Sequence, residues 1–144
     1  MTLVCYDANT FGHMQDYRKL AVWTKAHTLA LEIHRLAEAI PRTNNSGLIN
    51  QIRRAALSIP ANIAEGCGRA GSRDFAKFLQ IAIGSAVELE YHLQFAGDSS
   101  QIPHSDFVAR SAEVVQIRKM LYGLIRRVRS TDGDAGSLPT ANNQ

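Results

Sequence analysis

The chain has 144 residues, 45% hydrophobic and 20% charged, which suits one domain able to bury a core without disulfides or a structural metal. No apolar run approaches the roughly 20 residues that span a bilayer, and Met1–Gly12 lacks the basic segment and apolar block of a signal peptide. The net charge of +3, with a pI near 9.1, permits polyanion binding without requiring it. Cys5 and Cys67 form neither a disulfide framework nor a CxxC metal site, so the expectation is a cytoplasmic protein with two reduced thiols and no membrane partner.

Residues 1–15 carry no sustained period and read as a flexible leader. Asp16 is the expected N-cap of a first helix, in which Val22, Ala26, Leu29, Ile33, Leu36 and Ile40 recur every three or four residues as a packed seam. Pro41 should end it, because the residue before a proline is pushed off helical angles. After the turn-like Arg42–Gly47, a second helix should begin near Ser46–Leu48 and present Leu48, Ile52, Ala55, Ile59 and Asn62/Ile63. Its expected end is Gly66-Cys67-Gly68, where glycine permits a positive φ.

Ser72 is the expected cap of a third helix, with Asp74 in its first turn where the helix dipole favours an anion. Phe75, Leu79, Ala82, Ala86, Leu89, Leu93 and Ala96 step by four and three throughout, the most regular seam in the chain. Beside it, Phe78, Ile81, Ser85, Glu88, His92 and Phe95 mix apolar and polar groups, which implies a second packing partner. Ser105 or Asp106 should cap a fourth helix carried by Phe107, Val114, Ile117, Leu121, Leu124 and Val128. Residues 130–144 have neither period nor core and read as a disordered tail. With no strand-like alternation anywhere, residues 16–129 are expected to form an all-α, up-down-up-down antiparallel four-helix bundle.

The run Gln51–Gly66 breaks several local rules at once. Pro60 removes a helical hydrogen bond to Ala56, a defect costing about 3 kcal/mol in a regular helix interior. The apolar pattern nevertheless stays in phase across it, which predicts one kinked helix rather than two segments. Asn62 falls on the apolar stripe Ile52, Ala55, Ile59, where an unpartnered amide would cost about 1–3 kcal/mol. Arg53 and Arg54 place two charges just before the apolar turn.

This run, together with Val22-Trp23-x-x-Ala26, Phe75-x-x-Phe78-Leu79-x-Ile81-Ala82, Gly84-Ser85 and Glu88-Leu89, resembles the four-helix-bundle proteins named for the 23S rRNA intervening sequence. Relatives of that family include the accessory variability proteins of diversity-generating retroelements. The resemblance runs from Asp16 to Val128; Asn44 and Asn45 stand where the family often has an acidic residue. It implies a homo-oligomer, pentameric in family members. For the retroelement relatives it implies a nucleic-acid-binding partner of reverse transcriptase.

Catalytic constellations are sparse. A di-iron bundle needs Glu-x-x-His motifs, and the chain has none. Glu88 and His92, or His27 and His34, do not by themselves complete a metal site. Ser58 and Ser85 lack a nucleophile elbow, and Gly66-Cys67-Gly68-Arg69-Ala70-Gly71 lacks the strand and the Lys-Ser/Thr ending of a phosphate loop. No cofactor is expected. Glu65 has two readings: a surface pair with Arg69, or membership of a polar strip in which Ser58 and Asn62 bond across to Ser85 or Glu88. The second is preferred, with Ser58, Pro60, Asn62, Glu65, Gly66, Ser85 and Glu88 as a structural and interface motif.

Basic residues are the remaining functional signal. Between His104 and Arg129 there are six, Arg110, Arg118, Lys119, Arg126, Arg127 and Arg129, against two acidic residues, Asp106 and Glu113. This segment therefore carries more positive charge than the +3 of the whole chain. Clustered cations are what phosphate neutralisation requires, so Arg53, Arg54, Arg118, Lys119, Arg126, Arg127 and Arg129 form the candidate RNA- or DNA-binding set. A solvated, merely solubilising face is the competing reading. Half-apolar faces on the third helix and around Arg54, Leu57 and Ala61 predict self-association. The expected protein is a non-enzymatic, homo-oligomeric bundle that binds nucleic acid. The alternative is a purely structural protein–protein scaffold, and an enzyme working through Ser58, Asn62 and Glu65 is the least supported reading.

Overall fold

Four helices follow a short 3-10 turn at Tyr17–Lys19: α1 Ala21–Ala39, α2 Ser46–Cys67, α3 Ser72–Asp98 and α4 His104–Asp134. The structure, a computed structural model, describes residues 15–41 and 46–134. The leader up to residue 14 with Cys5, the turn at 42–45 and the tail from 135 lie outside the described residues.

Each helix packs on its neighbours in sequence, and α4 closes against α1. Every pairing is antiparallel. Arg69 near the end of α2 lies over Phe78 near the start of α3, and Lys25 early in α1 meets Gln116 midway along α4. The expected up-down-up-down bundle is the observed fold.

The core is the set of seams read from the sequence. All seven seam residues of α3, from Phe75 to Ala96, are buried. They meet Val22, Ala26, Leu29 and Ile33 of α1, Ile52, Ala55, Ile59 and Ile63 of α2, and Val114, Ile117, Leu121, Leu124 and Val128 of α4. At roughly 1.5–3 kcal/mol for each large aliphatic side chain, this burial explains why α2 runs unbroken across Pro60. Ile59 and Ile63, on either side of the missing bond, are both at 0% exposure. Only at the bundle ends does the pattern slip: Leu36, Ile40, Leu48 and Phe107 are half-buried, and Ala37 and Ile49 take the inward positions on α1 and α2.

Helix ends differ from the expected caps. Asp16 accepts the Arg18 amide at 3.0 Å and so caps the 3-10 turn, while Leu20 precedes α1. Gly71, with extended φ and ψ, is the N-cap of α3, and Ser72 is its first residue. Helix α4 begins at His104, one or two residues before the expected caps Ser105 and Asp106, and the Phe107 amide donates to the Pro103 carbonyl at 3.0 Å. It runs on to Asp134, so residues 130–134 are helical rather than part of a tail. Pro41 does stop α1, with Ile40 already extended.

Gly66 is fixed by contact. A Cβ there would sit 2.9 Å from both the Phe75 ring and Phe78 Cβ, so the end of α2 lies directly against the start of α3. The following turn is closed by the Gly68 amide on the Glu65 carbonyl and the Arg69 amide on the Gly66 carbonyl, each at 3.1 Å. Those amides are spent on ending the helix.

Candidate functional site

The polar strip is real but smaller than expected. Ser58 Oγ and Ser85 Oγ are 2.8 Å apart across the α2–α3 interface, and Ser85 Oγ donates to the Ile81 carbonyl at 3.2 Å. The single Ser85 hydroxyl proton is thus used, and Ser58 is the donor between the two. Asn62 Nδ2 donates to the Ser58 carbonyl at 2.8 Å and to Ser58 Oγ at 3.0 Å. The chain therefore runs from Asn62 through Ser58 and Ser85 to a backbone carbonyl. It is a satisfied seam that fixes register.

Two expected members stand outside this strip. Glu65 accepts from Arg69 Nη2 at 2.9 Å, and Glu88 pairs with His92 at 3.2 Å. Both carboxylates sit toward solvent, where a partner one helical turn away is nearer than one on the facing helix. Pro60 and Gly66 are buried beside the strip.

The cations divide into two groups. Arg110 ties α4 to Glu32 of α1 and also reaches Glu113 at 3.0 Å. Arg118 Nε lies 3.2 Å from Glu90 of α3. Arg53 Nη2 donates to His34 Nδ1 at 2.9 Å, and His34 Nε2 lies 3.3 Å from Glu38. That arrangement suits a neutral imidazole, accepting at Nδ1 and donating at Nε2. Among the described residues, Arg54, Lys119, Arg126, Arg127 and Arg129 are exposed and have no hydrogen-bond or ion-pair partner for their side chains. Lys119, Arg126 and Arg129 share a side of α4 with the exposed Tyr122, at spacings of three and four.

An open groove of about 710 Å³ runs between α1 and α2, with His27, Leu31, His34, Arg53, Arg54 and Leu57 among its lining residues. At its end Trp23 stacks on His27, with ring centroids 4.8 Å apart and planes within 10°, and Tyr17 packs tilted against Trp23. The groove's α1 side was not legible as a site, since nothing in sequence places His27 and His34 opposite Arg53. Exposed apolar side chains continue around the bundle, with Leu57 63%, Ile81 51% and Tyr91 62% exposed.

Cys67 is buried, and burial followed by the nearby Asp16 charge pushes its thiol up to about 12. It stays protonated at neutral pH and is a poor nucleophile. Among the described residues no group of three His, Cys, Asp or Glu side chains is placed to hold a metal ion. No helix among them is long and apolar enough to cross a membrane.

Fold and surface together define an all-α bundle with a hydrogen-bonded seam between α2 and α3 and, among the described residues, exposed unpaired cations on α4. The chain belongs to the 23S rRNA-intervening sequence protein family, which it matches over residues 18–123. The match ends before Arg126, Arg127 and Arg129. A crystal structure from Bacteroides thetaiotaomicron, of a protein of unknown function from the S23 ribosomal protein family, is similar at 27% identity and a TM-score of 0.69. The alignment covers 73% of this chain and 98% of that one. Among curated proteins, none matches.

Proposed function

We propose that this protein is a non-enzymatic, cytoplasmic, self-associating bundle that binds RNA or DNA through the phosphate backbone. The observation that carries the binding reading is the set Lys119, Arg126, Arg127 and Arg129, exposed on one helix and without acidic partners among the described residues. Cations held in ion pairs, such as Arg110 and Arg118, are already neutralised, whereas free ones release counterions when they meet phosphate. Arg118 therefore leaves the candidate set as an ion-paired brace, while Arg53, which donates to His34, lies with Arg54 in the α1–α2 groove. Self-association is supported by the exposed Leu57, Ile81 and Tyr91, with five subunits implied by the family resemblance. The absence of catalysis is supported by the Ser58 chain ending on a carbonyl and by the protonated Cys67.

The test is fluorescence anisotropy with a generic duplex over a range of salt, beside light scattering for mass. Binding should weaken steeply with salt and depend little on sequence. Each phosphate contact contributes about −0.9 to the log–log slope on duplex DNA, so Arg126→Gln with Arg127→Gln should make the slope shallower by about one to two units. An intact oligomer with no binding at low salt would leave the protein–protein scaffold as the function.

A further inference from the structure

We propose that the α1–α2 groove is the seat for the outer stripe of α3 from a second copy of this chain, a head-to-tail contact. This rests on the self-association reading above and names its two surfaces.

The groove holds the exposed Leu31 and Leu57 among Arg53, Arg54, His27 and His34, and no carboxylate lines it. The stripe is its chemical complement. Ile81, Gly84, Glu88, Tyr91 and Phe95 recur at spacings of three and four, which puts them on one side of α3. Ile81, Tyr91 and Phe95 are about half or more exposed, and Glu88 and Asp98 supply negative charge. An amphipathic helix laid into an apolar groove is read through anchors at this spacing. Here the groove's guanidinium groups face the stripe's carboxylates.

Neither surface suits a copy of itself. Groove against groove brings the arginines of two chains together, and stripe against stripe does the same for the carboxylates; like charges across an interface are costly. Nucleic acid is a poorer occupant, since phosphate gains nothing from Leu31 and Leu57 and leaves the acidic, apolar stripe uncovered. One contact between unlike faces covers both patches.

The positions of the faces decide the assembly. Ser85 and Phe78, which flank the stripe, touch Ser58 of α2 and Arg69 in the turn just after it. The stripe therefore lies on the α2 side of α3, the next face around the bundle from the groove. Repeating a contact between neighbouring faces turns the chain at each step, the turn that a heterologous contact needs to close into a ring.

The experiment uses the full chain with Leu57→Asp, which spoils only the groove, and Tyr91→Asp, which spoils only the stripe. Both positions are exposed, so circular dichroism should show each variant folded. By light scattering at a concentration where the unaltered chain assembles, each variant alone should fall to the mass of one chain, 15.8 kDa. Mixed, they retain one intact groove and one intact stripe between them, so the mass should double and stop there. Arg54→Glu and Glu88→Arg should each weaken assembly, and their combination should recover it. Folded variants that keep the full mass, or that fail to pair when mixed, would overturn the proposal while leaving self-association standing. An unaltered chain that is monomeric would remove both. Leu57→Asp losing nucleic-acid binding at unchanged mass would assign the groove to the polyanion and overturn the proposal as well.

Discussion

The interface between α2 and α3 and the C-terminal half of α4 both carry polar groups, and they use them in opposite ways. In the interface, Asn62, Ser58 and Ser85 hand hydrogen bonds along to the Ile81 carbonyl, and Arg69 is held by Glu65 above Phe78. On α4, Lys119, Arg126, Arg127 and Arg129 have no such partners among the described residues. Groups of the first kind set register and are felt as stability when removed. Groups of the second kind leave the fold indifferent and are available to something outside it.

Substitutions should separate the two regions by size and sign. The largest effect is expected at Gly66→Ala, whose new methyl meets the Phe75 ring and Phe78 Cβ at 2.9 Å. Overpacking of this kind costs about 1–3 kcal/mol, enough to outweigh alanine's better helix propensity of about 1 kcal/mol. A urea midpoint at or above the starting value would show that the helices part freely there. Asn62→Ala should come next, losing about 1 kcal/mol with its bonds to Ser58. Ser58→Ala and Ser85→Ala combined should cost less than the sum of the two, because they share one bond.

On α4 the same kind of change should have the reverse sign. Gly123 has open space around its Cβ position, so Gly123→Ala should raise stability by roughly 0.5–1 kcal/mol. Smaller still, Arg126→Gln with Arg127→Gln should change the unfolding free energy from urea titration by no more than about 0.5 kcal/mol, since both are exposed. A larger loss would place these arginines in the fold rather than on its surface.

The least effect near neutral pH is expected at Cys67, and it grows only in alkali. Its pKa is raised from 9.0 to about 12, so the unfolded chain gives up the proton first. The contribution is whole below pH 9 and is lost as pH rises from 9 to 12. Against Cys67→Ala, the unaltered chain should lose stability faster in that window and run parallel to it below pH 8. Parallel curves throughout would show the thiol to be wetter than its burial indicates.

Periodicity carried the fold because burial is periodic. The α3 seam from Phe75 to Ala96 is buried without exception, and α2 stays in phase across Pro60. Cap positions were less legible, since Leu20, Gly71 and Pro103 each offer a local alternative one or a few residues from the expected cap. The candidate site was legible only in part, for a different reason. Arg53 and Arg118 look as free in sequence as Arg126, but His34 and Glu90 reach them from other helices. Glu65 failed as a strip member for the converse reason: Arg69, one turn on, was always within reach. Local spacing lists the possible partners; the packing of helices chooses among them.

The continuation of α4 past Arg129 has a consequence for how tightly its charges can hold a polyanion. Ile125 and Val128, buried at 4% and 0% exposure, pin the backbone on either side of Arg126 and Arg127. Arginines on a loose tail must have their backbone ordered at capture, at about 1–2 kcal/mol per residue. Here folding has already met that cost, so the proposed capture would freeze side-chain rotations alone. The helical rise of about 1.5 Å per residue sets the charges at fixed intervals before any ligand arrives. A flexible peptide of the same residues should therefore bind the same duplex more weakly at equal charge.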